Sequence, residues 1–378
     1  MPRRTVPLLL LCMCAVNLLA QDLENLQIHG FATQGFLFSS NNNYLSMKSS
    51  TGSLQWTEGA ISVSDPVTDN LRVGIQLHMY QVGRFGGPNV NVDWASGDYK
   101  FNERLGFRAG KIKTPLGLFN DSQDVDSLFL WILLPQAMYA VDNKGFNLSE
   151  LGGEMYGALS LGNRGGSLQY RGHAGNSALD SNGGYAEQLA GLGLVFQAPP
   201  GGETFGGDLR WIAPWRGFTV GSSALSQTLD GTAPTGTLHM APSLTLAQYA
   251  QWGKGKLYVA GEYWRTPASP VLTMGPATIP LPLDQRSWYV MASYRLSEKL
   301  QLGSYYSHCV NKAMDTALPE NYSKDFVLSG RYNFNAYFYG KVEGHFLHGT
   351  ALGYYASTNP GGLKPDSNML AARIGFSF

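Results

Sequence analysis

In the stretch "NLRVGIQLHMYQVG", Leu71, Val73, Ile75, Leu77 and Met79 alternate with Arg72, Gly74, Gln76, His78 and Tyr80. Successive side chains of a strand point to opposite faces, so this period of two predicts a strand with one apolar and one polar face. The pattern returns in "NVNVDWA", with Val90, Val92 and Trp94 against Asn91 and Asp93, and in "GSLQYRGHAG", with Leu168 and Tyr170 against Gln169, Arg171 and His173. It returns in "FYGKVEGHF", where Phe338, Val342 and Phe346 oppose Tyr339, Lys341, Glu343 and His345. A chain made of such segments needs a cover for every apolar face.

That cover is a second sheet or lipid, and composition favours lipid. Charged residues are 14% of the chain, against roughly 25% in soluble domains. Aromatics reach 12% and glycines number 46. After the N-terminus no stretch approaches the roughly 18 apolar residues of a membrane helix; the longest run is Leu128 to Leu134, "LFLWILL". Strands cross a bilayer only as a closed barrel, which leaves no backbone group unpaired.

The first residues, "MPRRTVPLLLLCMCAVNLLA", read as a signal peptide: Arg3 and Arg4, an apolar run from Val6 to Leu19, then Ala20 before Gln21. The residues before Cys12 and Cys14 are too large for lipoprotein processing, and Arg3-Arg4 lacks the context of twin-arginine export. Cleavage after Ala20 leaves Cys309 as the one cysteine, so disulfides do not hold the fold. It also removes Arg3 and Arg4, leaving 25 basic residues against 27 acidic ones. Such a balance points to no nucleic-acid partner.

Spacing adds an independent signal. The short connections "SDPVTDN", "SGDYKFN", "GNRGG", "APPGGETFGG", "KGK", "LSEK" and "NFNA" interleave with longer ones. The longer ones are "SSNNNYLSMKSSTG", "GRFGGP", the segment 114–152, "GNSALDSNGGYAE", "LDGTAPTGTLHMAP", "TPASPVLTMGPATIPLPLDQ", "VNKAMDTALPENYS" and "HGTALGYYASTNPGGLKPDS". Short turns on one rim and long loops on the other are the asymmetry of outer-membrane barrels. The expected fold class is all-β: a transmembrane antiparallel β-barrel over residues 21–378 of about sixteen strands, with fourteen and eighteen as neighbouring counts. Trp252, Trp264, Trp288, Tyr332 and Phe338 fall at strand ends, where aromatic girdles sit at the headgroup level.

The chain ends "SNMLAARIGFSF", with Leu370, Ala372, Ile374, Phe376 and Phe378 in one apolar row. A strand that runs to the last residue on its apolar face fits barrel closure against the first strand, and resembles the signal that outer-membrane proteins present to their insertion machinery. Phe378 is the candidate assembly signal.

The longest connection follows "RLGFRAGKIKTPLGLFNDSQDVDSLFLWILLPQAMY". Its residues Gly110, Lys111, Lys113, Pro115, Gly117 and Leu118, then Leu134 and Pro135, resemble the porin O and P family, also called phosphate-selective porins. The stretches "IHGFATQGFLFSS" and "VDWASGDYKF" add to the resemblance, which covers the first 140 residues and the final strand. It implies sixteen strands, a homotrimer, and a third loop (114–152) folded into the lumen as a constriction. On that reading Leu128 to Leu134 packs against the wall while Asp121, Asp124 and Asp126 face water; a loop folded over the surface is the alternative. The family's phosphate selectivity depends on an arginine ladder and a lysine cluster. Here the loop carries Asp121, Asp124 and Asp126, with only Lys111 and Lys113 at its entry, so phosphate is not carried over.

Period-two parity places Arg72, His78, Arg108, Arg171 and His173 on the pore-lining face, and likewise Arg295, Arg331, Lys341, Glu343, His345 and Arg373. With Asp93, Glu262 and Asp325 they predict either a weakly basic wall that favours small anions such as carboxylates, or a paired interior without selectivity. His345 and His348 lie three apart on a strand and face opposite sides, so no metal site follows; no motif for a phosphate or dinucleotide cofactor occurs either. The expected function is a porin for small hydrophilic solutes in the bacterial outer membrane. The rival classes are a barrel hydrolase and a surface receptor or adhesin.

Overall fold

A computed structural model describes residues 25–378. The signal-peptide reading of residues 1–20 lies outside the described residues. One antiparallel sheet of nineteen strands contains the whole wall. Three short pieces, Phe85–Gly86, Val271–Met274 and Ala277–Pro280, belong to loops, and the other sixteen close on themselves.

We number these wall strands β1 (Gln27–Ser39), β2 (Ser53–Pro66), β3 (Leu71–Val82), β4 (Asn91–Asn102), β5 (Leu105–Lys113), β6 (Ser149–Ser160), β7 (Ser167–Ala178) and β8 (Gly201–Ile212). They continue with β9 (Phe218–Ala233), β10 (Gly236–Lys254), β11 (Leu257–Ala268), β12 (Leu283–Arg295), β13 (Leu300–Asn311), β14 (Tyr322–Asn333), β15 (Phe338–His348) and β16 (Asp366–Ser377). Each pairs with its neighbours, and β1 pairs with β16 from Phe31–Ser377 to Ser39–Met369. Closure satisfies the ladder all round, as a bilayer demands.

One rim carries turns of two to six residues, while the other carries loops as long as 114–148. Its exception is the β9–β10 hairpin, whose long strands meet at residues 234–235. "LDGTAPTGTLHMAP" is therefore paired strand, not the long loop its Gly and Pro content predicted. Its apolar residues Leu229 and Leu238 are buried under the 179–200 loop and the helix Gly184–Gly191, together with Leu189 and Leu272. "APPGGETFGG" closes that loop and opens β8, and "SGDYKFN" lies within β4; Gly is tolerated in both because the strands around it supply the pairing.

The outward row is apolar: Ile61, Val73, Val290, Leu328, Val342 and Ile374 are all more than a third exposed. Trp252, Trp288, Tyr332 and Phe338 belong to this row. Trp264 does not; it is buried, and its indole Nε1 donates to Glu262 at 2.8 Å. A register shift in β4 between the partners of Gln76 and Leu77 moves Trp94 inward, off the row it shared with Val90 and Val92.

Candidate functional site, a loop packed inside the barrel

Loop 114–148 leaves β5 and turns into the barrel at Gly117, whose φ of +67° lies in the left-handed region. A Cβ there would stand 2.6 Å from both Glu262 Oε2 and Trp264, so the turn admits only glycine. The entering backbone is held by the wall. Gly117 N–H donates to Ser223 Oγ at 3.0 Å, and Leu118 N–H reaches Glu262 Oε1 at 3.2 Å. Glu262 also accepts the hydroxyls of Tyr139 and Tyr289, each at 2.6 Å, so its buried carboxylate is saturated with donors.

The apolar run then packs on the wall. Leu130, Trp131 and Leu134 join Tyr289, Met291, Tyr305 and Val327 in one cluster, while Ile132 and Leu133 join Leu37, Trp56, Leu347 and Ala371 in another. Leu128, the first residue of the run, is 64% exposed. Polar anchors fix the register: Glu343 accepts the N–H groups of Ile132 and Leu133 at 3.0 Å each, and Arg331 donates to the Phe129 carbonyl at 2.9 Å.

Two of the three aspartates, Asp124 and Asp126, do not face water. Asp126 is buried between Lys341 at 2.9 Å, Arg373 at 2.6 Å and the Tyr339 hydroxyl at 2.8 Å. Burial alone would raise its pKa, but Lys341 and Arg373 outweigh it and hold the carboxyl below the usual range. Asp124 is buried against Lys113 at 2.8 Å, a lysine shared with Asp93 at the same distance. Burial and the Asp93 carboxylate push Asp124 up. Only Asp121 is exposed, and it pairs with Arg171 at 2.5 Å. Composition could not show this, because the partners of Asp121 and Asp126 lie far along the chain.

The exit limb is latched too. Lys144 donates to Glu58 at 2.6 Å, and Asp142 accepts from the Tyr355 hydroxyl. Burial works against the Lys144 ammonium, but the Glu58 carboxylate raises it above its ordinary value.

The loop thus covers the inner wall from β9 round through β16 to β2. The side chains of Lys341, Glu343, His345 and Arg373 are sealed beneath it. All four were expected to line the pore; Lys341, Glu343 and Arg373 instead hold the loop, and His345 is buried against Asp325 and Glu343 at 2.9 Å each. His78 and His173 are also buried, in pairs with Glu58 at 3.1 Å and Glu150 at 2.8 Å. Lys111 is corrected differently: it stands on the outward row opposite Ala95 and Leu151, and its ammonium donates to the Val92 carbonyl at 2.6 Å.

Between the loop and the uncovered arc from β2 to β7 lies an open cavity of about 710 Å³. Arg72, Trp94, Arg108, Lys113, Tyr156 and Arg171 line it. Arg108 pairs with Asp98 at 2.7 Å and Glu154 at 3.3 Å, and Arg171 with Glu154 at 2.6 Å. Among the described residues Arg72 reaches only Gln27, at 3.3 Å. Arg295 sits exposed at the short-turn end of β12, and Arg331 is half-buried under the loop.

Sequence reading missed Glu58, Asp98, Glu150, Glu154 and Lys144. A charge in mid-strand of a barrel cannot face lipid, and that rule alone places Glu58 and Glu154 inside. Nothing in the sequence marks Lys144, whose partner is 86 residues away.

A fold of this kind can be compared directly with solved structures. Salmonella typhi OmpF in complex with daunomycin matches with a TM-score of 0.60 at 16% identity, covering 93% of this chain and 97% of that one. The anion-selective porin from Comamonas acidovorans gives 0.59 at 12% identity, covering 93% and 98%. The outer membrane channel DcaP of Acinetobacter baumannii gives 0.56 at 11% identity, covering 93% and 97%. The fold is that of outer-membrane porins. At these identities the likeness is one of porin architecture alone. No family model matches the sequence, and no curated protein matches it.

Proposed function

We propose that the chain is an outer-membrane porin: a passive diffusion channel for small hydrophilic solutes, exported by a cleaved signal peptide over residues 1–20 and assembled as a homotrimer. Supporting the trimer is an OmpT structure from Vibrio cholerae described as a trimer form, which shares this fold. The resemblance to the porin O and P family is retained as part of this proposal.

One observation carries the reading. The infolded loop is pinned to one arc of the wall by buried ion pairs, and an open cavity lined by charged side chains lies along the other. A rigid constriction beside a polar gap restricts solute size without binding solute tightly, as passive diffusion requires.

The charges set the selectivity. Arg108 and Arg171 share Glu154, and Lys113 shares Asp93 and Asp124, so the basic wall is neutralised where the passage is narrow. Of the cations lining this cavity, Arg72 has no carboxylate against it among the described residues. The passage therefore suits neutral and zwitterionic solutes, with a weak preference for small anions such as carboxylates. Reconstitution in a planar bilayer tests this: ion-conducting steps with a reversal potential close to zero in a KCl gradient support it, and an absence of steps excludes the channel.

A further inference from the structure

The open cavity between the loop and the β2–β7 arc runs from the short-turn rim, at Glu103 and Gln169, inward to Gln76, Lys113 and Asp124. There a layer of polar side chains closes it. Lys113 binds Asp93 and Asp124 at 2.8 Å each, and Gln76 donates to Asp93 at 2.7 Å and also to Asp124. A water-filled path through this layer would wet the side chains it passes. Gln76, Asp93 and Asp124 are all less than a tenth exposed, as is His78, two residues farther along β3 on the same face. The far side of the layer is hollow again: Gln123 lines a small cavity of about 40 Å³ with Glu58, Lys144 and Arg373. Residues 121–125 thus form a partition, with Asp121, Asp124 and Val125 on the open cavity and Gln123 on the small one.

This partition is the part of the loop without an apolar anchor. Phe119 before it and Leu130 after it belong to the buried cluster, and Asp126 is fixed by Lys341 and Arg373. Within 121–125 the one apolar residue is Val125, which is half-buried. The backbone bonds of the segment run inside the loop: Ser122 N–H donates to the Phe119 carbonyl and Val125 N–H to the Ser122 carbonyl, each at 2.9 Å. What ties it to the wall is polar, namely Asp124 on Lys113 and Gln76, and the exposed Asp121 on Arg171 at 2.5 Å. Segments with few buried apolar contacts open locally at low free energy, and moving elements are drawn from them.

We propose that residues 121–125 are the gate of the channel and Lys113 is its catch: the flap swings off Lys113 and Gln76 to join the two cavities into one path, and swings back to shut it. The inference rests on the diffusion-channel reading and adds where that channel closes. When the flap leaves, Lys113 keeps Asp93, so the wall strands no unpaired charge, and the Asp124 carboxylate moves into water. A buried ion pair gains little over two hydrated charges, so the shut and open states lie close in free energy. The solvent-exposed Asp121–Arg171 pair adds little to either.

Single-channel recording and thiol labelling together test the gate. D124N weakens the catch, and the ratio of open to shut time should rise about tenfold, the worth of a charge-assisted hydrogen bond. Q76L leaves both charges in place and should raise the ratio in the same direction by less. D121N should change it by less than about twofold, because that pair is exposed to solvent. The second readout needs no current. H78C in a C309S background puts a thiol behind the flap, where His78 is buried, and removes the buried native thiol. A small cationic methanethiosulfonate should label it in detergent about tenfold faster once D124N is added. Unchanged open time and unchanged labelling in heat-modifiable, folded D124N and Q76L proteins would overturn the gate. Faster labelling in a protein that gives no current steps would uphold the moving flap and overturn the channel reading, so the two failures are distinct.

Discussion

Asp126, on the loop inside the barrel, accepts a hydrogen bond at 2.6 Å from Arg373 of the closing strand. The same carboxylate binds Lys341 at 2.9 Å, so one loop residue ties together β15 and β16 next to the seam where the barrel closes. Two buried cations therefore share one anion, with Glu58 a more distant second partner of Arg373 at 3.5 Å.

Replacing Asp126 with Ala should detach the middle of the loop. Removing one member of a buried ion cluster costs about 3–5 kcal/mol, because the charges left behind are uncompensated. We expect a lower thermal midpoint of the SDS-resistant folded form, and single-channel steps that are larger or noisier than wild type. An unchanged midpoint with unchanged steps would show that the latch is dispensable.

The latch also has a pH window. Asp126 is held below its ordinary value of about 4, so its contribution is present above that value and is lost only as pH falls through the depressed folded value. Lys144 is raised, so its contribution is present below about pH 10 and is lost only at higher pH. Asp124 is pushed up and takes its proton first on acidification. Channel step size, measured at fixed salt, should therefore change on acidification as Asp124 takes its proton, before Asp126 is protonated.

Glu154→Gln should remove a carboxylate that two arginines share, leaving Arg108 with Asp98 and Arg171 with Asp121. Arg108 and Arg171 both use this carboxylate, and Glu154 is buried. The reversal potential should shift toward anion preference, more at low salt, where a longer Debye length lets the passage feel the added charge. Unchanged selectivity at low salt would place the ion path elsewhere.

Deleting Phe378 should impair assembly while export continues. Its N–H and carbonyl pair with Gly30 at 3.0 and 3.1 Å, and its ring covers the bare Cα of that glycine, where a Cβ would stand 2.8 Å from the ring. Wild-type amounts of heat-modifiable protein in the membrane would refute this.

The wall was largely legible in the sequence, because parity is local: Leu71 to Tyr80 and Leu370 to Phe378 carry their two faces in the order of their residues. Strand ends were less legible, and Gly-rich segments in β8 and β10 read as turns because their pairing partners supply the order that glycine lacks. Least legible was the interior. His78, His173, Lys341 and Arg373 were correctly turned inward by parity, but whether an inward residue meets water or protein depends on where a distant loop lands. The pairs Asp126–Arg373 and Lys144–Glu58 span 247 and 86 residues, and no local pattern encodes such distances.

The most direct test is to excise residues 119–139 and join the ends with a short Gly/Ser linker, then record single channels beside the wild type. The loop packs its apolar run and its aspartates against the inner wall, so the account predicts discrete steps in both proteins and a clearly larger conductance in the excised form. A correctly folded excision variant whose conductance equals the wild type would contradict it.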